Sequence, residues 1–265
     1  MENGILAKIR EEQFEEAAAL IGALHQKPEQ DYYRGLLARK KGLVLKSIAY
    51  LESALSHWDK AEVHGQLGEI YLGQEVYEEA VYHFQQALLQ NPDRKELIFL
   101  IFDCFLGLGL SREAIVEQMT QFFSLKEEAS WIFFINLLVD KGFYLEAQRL
   151  LEVDKVWEMP ARRLYLQGRC QFYLKNYSVA LTYFHEAAKL TNSKHVRAYL
   201  LILKALKCPG WEDAMDWTIT ELGLLSWLET GLGTFPILDG EVVSLLKKTA
   251  QDLDLLDGTI IGQMV

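Results

Sequence analysis

The segment Ala61–Pro92, AEVHGQLGEIYLGQEVYEEAVYHFQQALLQNP, decides the fold. Apolar side chains recur every three or four positions within it, as Val81, Phe84 and Leu88 do. This spacing places them on one face of a helix, because an α-helix completes a turn in about 3.6 residues. The segment therefore predicts two amphipathic helices joined by a short turn.

The smallest residues of the segment lie where these two helices are expected to cross. Gly68 and Ala80 would let the two backbones approach closely, while Tyr71 and Phe84 would fill the space beside the crossing. Pro92 would end the second helix, since proline cannot continue one. This combination of residues resembles the tetratricopeptide repeat, whose period is about 34 residues.

Equivalent small residues recur along the whole chain. The separations between successive members are 30, 33, 34, 33, 33 and 34 residues for Ala17, Ser47, Ala80, Ala114, Ala147, Ala180 and Ala214. The family resemblance thus extends over nearly the whole chain. It implies an all-α fold, a right-handed α-solenoid of about seven helix-turn-helix repeats with a C-terminal capping helix.

The period also predicts the domain organisation. A repeat array over 1–228 would be followed by 229–265, which would hold a loop to about residue 240, a capping helix from 241 to about 256, and a tail. Phe102 and Ile135 stand where a small crossing residue is expected and are departures from the pattern. The approximate repeats are 1–27, 28–60, 61–94, 95–127, 128–160, 161–194 and 195–228.

Turn residues support the same helix pairs. A residue in the left-handed conformation commonly ends a helix, and glycine or asparagine adopts it most readily. We expect such residues near the ends of the first helices, at Gly42, Gly73, Gly109, Gly142, Asn176 and Gly210.

Composition narrows the class of protein. The chain has 265 residues, 50% of them hydrophobic, and a formal charge of −10. Nucleic-acid binding and attachment to anionic membranes are not expected, because both need a basic surface. We find no signal peptide and no apolar segment of the roughly 20 residues that span a bilayer. Together with three widely separated cysteines, these features predict a cytoplasmic protein.

Neither catalysis nor a cofactor is predicted. The six histidines form no HExxH motif, and no glycine-rich phosphate-binding motif occurs. His64 and His83 belong to the two helices of one repeat and can approach each other, but we expect satisfied histidines there rather than a metal site. We therefore predict no enzyme, no catalytic residue, no cofactor and no metal.

The family resemblance implies a partner-binding groove lined by the first helix of each repeat. The alternative for any of these side chains is packing between neighbouring repeats. The register places the following residues on the groove: Tyr32, Tyr33, Leu36, Arg39, Glu62, Gln66, Glu69, Phe99, Asp103, Ile132, Phe133, Asn136, Tyr165, Arg169, Phe172 and Tyr173.

The predicted function is that of a non-catalytic scaffold or adaptor that binds a peptide or protein segment in this groove. The basic residues with which some family members grip C-terminal carboxylates are missing, and Glu62 and Glu69 would repel a carboxylate. One alternative is an accessory subunit of an enzyme that docks through its C-terminal cap or outer face. Another is a peptide-sensing regulator without a DNA-binding domain. Self-association through the terminal repeats or the tail stays open.

Overall fold

A computed structural model of the chain describes residues 2–123, 128–153 and 158–205, which contain thirteen helices and no strand. The predicted turn at Gly210, the seventh small residue Ala214, the loop, the capping helix and the tail lie outside these ranges. The helices are α1 Glu2–Arg10, α2 Phe14–Gly22, α3 Lys27–Lys40, α4 Val44–Leu55, α5 Ala61–Gly73, α6 Tyr77–Gln90, α7 Glu96–Gly107, α8 Arg112–Thr120, α9 Glu128–Asp140, α10 Tyr144–Glu152, α11 Pro160–Tyr173, α12 Tyr177–Leu190 and α13 Lys194–Ala205.

The chain divides into two compact units, Met1–Phe122 and Phe123–Val265. Helices α1 to α8 belong to the first unit and α9 to α13 to the second. Within each unit, consecutive helices pack in pairs, and successive pairs also contact each other. None of the described helices is both long and apolar enough to cross a bilayer.

Two of the helix pairs cross at a glycine that contacts a phenylalanine, as predicted. A Cβ atom added to Gly68 would lie 2.6 Å from the Phe84 ring. One added to Gly168 would lie 2.7 Å from the ring of Phe184. Both phenylalanines are fully buried, so neither ring has room to move away. This packing confirms the tetratricopeptide-type helix pair in α5/α6 and in α11/α12.

Other pairs vary this crossing. In α3/α4, Gly35 faces Leu51, and the Ser47 hydroxyl donates to the Gly35 carbonyl oxygen over 2.8 Å. Phe102 and Ile135 are fully buried in α7 and α9. The pairs that contain them, α7/α8 and α9/α10, are less closely packed than the glycine pairs, and their second helices are shorter, with nine residues each.

Each of the six described hairpin turns has one residue with a left-handed backbone. Their φ angles lie between +59° and +79°, at Glu12, Gly42, Glu75, Gly109, Gly142 and Lys175. The glycines at 42, 109 and 142 match the prediction. The expectation was wrong for Gly73, which is the last residue of α5, and for Asn176, whose φ is −85°. Glutamate and lysine hold the left-handed position in these two turns.

The same turns share one hydrogen bond. The backbone N–H that follows the left-handed residue donates to the carbonyl five positions earlier, over 2.8 to 3.4 Å. This bond satisfies a carbonyl that the end of a helix would otherwise leave without a partner. The turn is therefore set by helix-end geometry, and the identity of the left-handed residue is secondary.

Two of the cysteines lie in the interior. Cys104 and Cys170 are free thiols and fully buried. Burial raises the pKa of Cys104 to about 11 and that of Cys170 to about 12. Both thiols stay protonated at neutral pH and act as small apolar side chains.

Candidate functional site

The second unit contains a cleft of about 720 Å³ between three first helices, α9, α11 and α13. Its main lining residues are Asn136 and Asp140 from α9, Pro160 to Arg162, Tyr165, Arg169 and Tyr173 from α11, the segment before α13, and His195, Val196 and Tyr199. Clefts of this size accept a peptide or a small molecule.

The start of α11 is tied to α9. The buried carboxylate of Glu128 accepts the backbone N–H groups of Glu158, over 2.8 Å, and of Met159, over 3.1 Å. Pro160 then occupies the first turn of the helix, where its missing N–H costs nothing. These contacts orient α11 along the cleft.

Three residues of α11 face the cleft because of their spacing. Tyr165, Arg169 and Tyr173 are four residues apart and lie on one helical face. Gly168 lies beside them and packs against Phe184 of α12, which leaves their face toward the cleft. The glycine crossing therefore positions the site.

Arg169 connects α11 to α9. Its two terminal nitrogens donate to Asn136 Oδ1 and to Asp140 Oδ1, each over 2.9 Å. The Asn136 amide is itself held by a bond from its nitrogen to the Ile132 carbonyl, 2.8 Å long. Arg169 is only 8% exposed, and its Nε has no hydrogen-bond partner within the described ranges. A buried guanidinium thus remains partly unsatisfied at the cleft.

Aromatic side chains form the wall around Arg169. The hydroxyls of Tyr173 and Tyr199 are 3.2 Å apart, and the rings of Tyr165 and Tyr199 meet edge to face at 6.1 Å. Tyr173 stacks on Tyr144 at 4.9 Å, and Tyr199 stacks on Phe184 at 4.7 Å. Burial raises the pKa of both Tyr165 and Tyr173, so their phenols stay protonated. The wall is therefore uncharged and rigid.

The mouth of the cleft is electropositive. Arg162 is exposed in the first turn of α11, and His195 lies opposite it on α13. Burial lowers the pKa of His195, and the charges of Arg169 and Arg162 lower it further. Arg162 therefore supplies the positive charge at the mouth, because Arg169 is buried and paired with Asp140.

The structure brings four of the predicted groove residues together at the cleft: Asn136, Tyr165, Arg169 and Tyr173. Phe133 is half-buried, and its ring lies 5.9 Å from that of Phe123. Phe172 and Ile132 lie in the interior, exposed by 7% and 6%. These two side chains pack against neighbouring helices and are not on the surface.

The cleft residues that the sequence analysis did not predict include four with charged or aromatic side chains: Asp140, Arg162, His195 and Tyr199. Helical spacing could have found three of them. Asp140 follows Asn136 by four residues, Arg162 precedes Arg169 by seven, and Tyr199 follows Tyr165 by one repeat of 34. His195 precedes Tyr199 by four residues and could have been added only once Tyr199 was known.

In the first unit, a second arginine joins two first helices. One terminal nitrogen of Arg39 in α3 donates to Gln66 Oε1 and to Glu69 Oε2 of α5, each over 2.7 Å. Tyr32 packs edge-on against Trp58, with ring centroids 5.9 Å apart. Arg39, Gln66 and Glu69 therefore connect α3 to α5, and Tyr32 contacts the segment between α4 and α5.

The remaining predicted residues of this unit differ in exposure. Tyr33 is 5% exposed and belongs to the core formed by α1, α2 and α3. Glu62 is exposed, and the half-buried residues are Leu36, Phe99 and Asp103. Tyr33 therefore packs between helices, which the sequence analysis gave as the alternative to a position on the groove.

His64 and His83 meet in the first unit. Their Nδ1 atoms are 2.9 Å apart, and His64 Nε2 lies 3.0 Å from Asp59 Oδ1, which also accepts from Gln90. In the tautomer that carries its proton on Nε2, His64 donates to this carboxylate, and its Nδ1 accepts from His83. Burial lowers the pKa of His83 to about 4, and His64 adds to the effect. The pair satisfies itself, and no group of three or more metal-binding side chains occurs in the described ranges.

No protein-family model matches the chain, and no curated protein sequence does. Several solved structures are similar to it, including the following two. The crystal structure of a tetratricopeptide repeat protein from Parabacteroides merdae ATCC 43184 is 14% identical, with a TM-score of 0.43, over 94% of this chain and 93% of that chain. The crystal structure of the apo form of RapI is 16% identical, with a TM-score of 0.39, over 91% of this chain and 81% of that chain. These similarities are too low to assign a role to the cleft, which depends on this chain's own residues.

Proposed function

We propose that the protein is a non-catalytic interaction module that binds a segment of another protein in the cleft between α9, α11 and α13. The observation that carries this proposal is the wall of tyrosines around a buried arginine. Tyrosine and arginine supply much of the binding energy at protein interfaces. Their rings and guanidinium are already held in place, so that little conformational entropy is lost on binding.

The dimensions of the cleft favour an extended segment. The cleft follows α11 from Pro160 to Tyr173, which is the whole helix of fourteen residues. At 1.5 Å per residue this is about 20 Å of helix. An extended chain advances about 3.3 Å per residue, so about six residues of a partner would lie along it.

Selection from a library of random dodecapeptides displayed on phage, with the full chain as bait, tests this proposal. Enriched peptides are then synthesised with a fluorophore and titrated by fluorescence anisotropy. We expect Ala161→Trp, which puts a large ring into the cleft, to weaken their binding at least about tenfold. Tyr165→Ala should do the same by removing part of the wall.

Tyr50→Ala is the matched control, because Tyr50 is an exposed tyrosine of α4 outside the cleft. It should leave the affinity unchanged, and circular dichroism should show intact helices in all three variants. Failure to enrich any peptide, or enrichment of peptides that bind Ala161→Trp as well as the unmodified chain, would contradict the proposal.

A further inference from the structure

The charge of the cleft is opposite to that of the chain. The protein carries a formal charge of −10, whereas the charged residues that line the cleft, in the part of the chain that the structure describes, are Arg162, Arg169 and one carboxylate, Asp140. Among the described residues, Arg162 forms no ion pair and is exposed to solvent. A local excess of positive charge on an acidic protein attracts anions selectively.

Arg169 is the second element of this site. Nine-tenths of it is buried, and its Nε–H has no acceptor among the described residues, while the two terminal nitrogens hold Asn136 and Asp140. An unsatisfied donor on a buried cation has a high free-energy cost, and the charge of a carboxylate bound in the cleft beside the guanidinium would offset part of it. Hydrogen bonds between charged groups are roughly twice as strong as neutral ones.

The positions of the two arginines bear on the source of the carboxylate. Arg162 and Arg169 are seven residues apart on α11, or about 10 Å along one face of the helix. Tyr173 continues the cleft beyond Arg169, and Pro160 and Ala161 continue it beyond Arg162. A bound segment therefore has residues on both sides of the arginines, which suits an internal side chain better than a chain end.

We propose that the segment bound in the cleft is anchored by an aspartate or glutamate side chain, which Arg162 and Arg169 bind while an adjacent apolar residue packs on the tyrosines. This inference rests on the proposed function, because it specifies the chemistry of the ligand at the same cleft.

The experiment compares peptides selected by the unmodified chain with those selected by Arg162→Glu. We expect aspartate or glutamate to be enriched among the first set, and lysine or arginine to replace them in the second. For an acidic peptide, replacing its acid by asparagine or glutamine should weaken binding about tenfold, the usual effect of one charge-assisted hydrogen bond. Affinity should also fall as salt is raised from 50 to 300 mM.

Arg149→Glu makes the same charge change on an exposed arginine of α10 that does not line the cleft. It should select the same acidic peptides as the unmodified chain. Arg169→Lys keeps the buried charge and removes the Nε donor, and it should weaken acidic peptides more than their amide counterparts.

The outcomes separate the two proposals. Peptides that depend on the cleft but show no bias toward acids, or that lose no affinity when the acid becomes an amide, would overturn the inference and leave the proposed function standing. A preference for peptides whose only acid is a free C-terminal carboxylate would also overturn it. If no enriched peptide depends on the cleft, both proposals fail.

Discussion

Helix α5 of the first unit and helix α11 of the second each cross their partner helix at a glycine. Gly68 lies against Phe84, and Gly168 lies against Phe184 at nearly the same distance. Counted from that glycine, three of the positions at which the two helices differ line the cleft in α11. The residues at −3, +1 and +5 are Gly65, Glu69 and Gly73 in α5, and Tyr165, Arg169 and Tyr173 in α11.

The two helices cross their partners in the same way but differ in what these three positions contact. Around α5, the space beside Gly65 is filled by the Arg94 side chain, and Glu69 is neutralised by Arg39. Around α11, the same three positions supply two tyrosines and a buried guanidinium to a cleft. One scaffold can therefore carry either a face whose side chains pair with each other or a face with an open cleft, and a few first-helix positions decide which.

The largest effects should come from the shared scaffold. Phe84→Ala and Phe184→Ala each remove a fully buried ring beside the crossing, and each should lower the free energy of unfolding by about 3 to 5 kcal/mol. Urea titration followed by circular dichroism measures this, with Tyr50→Ala as the surface control. Costs that differ by several kcal/mol between the two variants would show that the crossings are not equivalent.

Acid should affect the two pairs differently, because only α5/α6 buries a histidine pair. His83 has a pKa of about 4 in the folded protein, against about 6.5 for an unfolded chain. Its neutral form therefore contributes stability that is fully present above pH 6.5 and lost as the pH falls to 4. Linkage gives about 3 kcal/mol for this shift.

The matching residues of α11/α12, Leu164 and Tyr183, provide the control. The double variant His64→Leu/His83→Tyr copies them into the first unit. Its stability, measured by urea titration at several pH values, should vary less between pH 6.5 and 4 than that of the unmodified chain. An identical dependence in both proteins would exclude His83 as the source.

The two inter-helix arginines should also differ in importance. Arg169→Leu removes two charged hydrogen bonds from a buried position and should cost about 2 to 3 kcal/mol. Arg39→Leu breaks a more exposed ion pair and should cost less than about 1 kcal/mol. Thermal and urea unfolding measure both, with Arg149→Leu as the control. Equal losses would mean that burial does not distinguish the two networks.

The smallest effect concerns the turns that lack glycine. Glu75→Gly and Lys175→Gly relieve a left-handed backbone and should raise the free energy of unfolding by up to about 1 kcal/mol. Gly42→Ala should lower it by a similar amount, because alanine is strained at positive φ. Stabilisation by Gly42→Ala would contradict the assigned turn geometry.

The fold was predictable from the sequence because its determinants are short-range and steric. A glycine opposite a phenylalanine, repeated with the period of one helix pair, specifies a close crossing without knowledge of distant residues. The left-handed conformation of Glu75 and Lys175 was not predicted. The hydrogen bond that closes the turn fixes which position is left-handed, even where the residue there is not glycine.

The site was predicted only in part. Spacing along α11 identified Tyr165, Arg169 and Tyr173, which share one face. The same rule misplaced Tyr33 and Phe172, because a first helix has neighbours on more than one side and buries most of its surface. The charge of the cleft depends on which side chains of three different helices approach each other, and periodicity within one helix does not contain that information.

Because the same turn closes each helix pair, the length of the chain can change by whole periods. Every described turn is closed by a hydrogen bond between residues five positions apart, so each hairpin is complete within its own segment. Duplicating or deleting one period of 33 or 34 residues would leave the bonds of the remaining hairpins intact. Gene duplication could therefore add a helix pair with different surface side chains without changing the existing repeats.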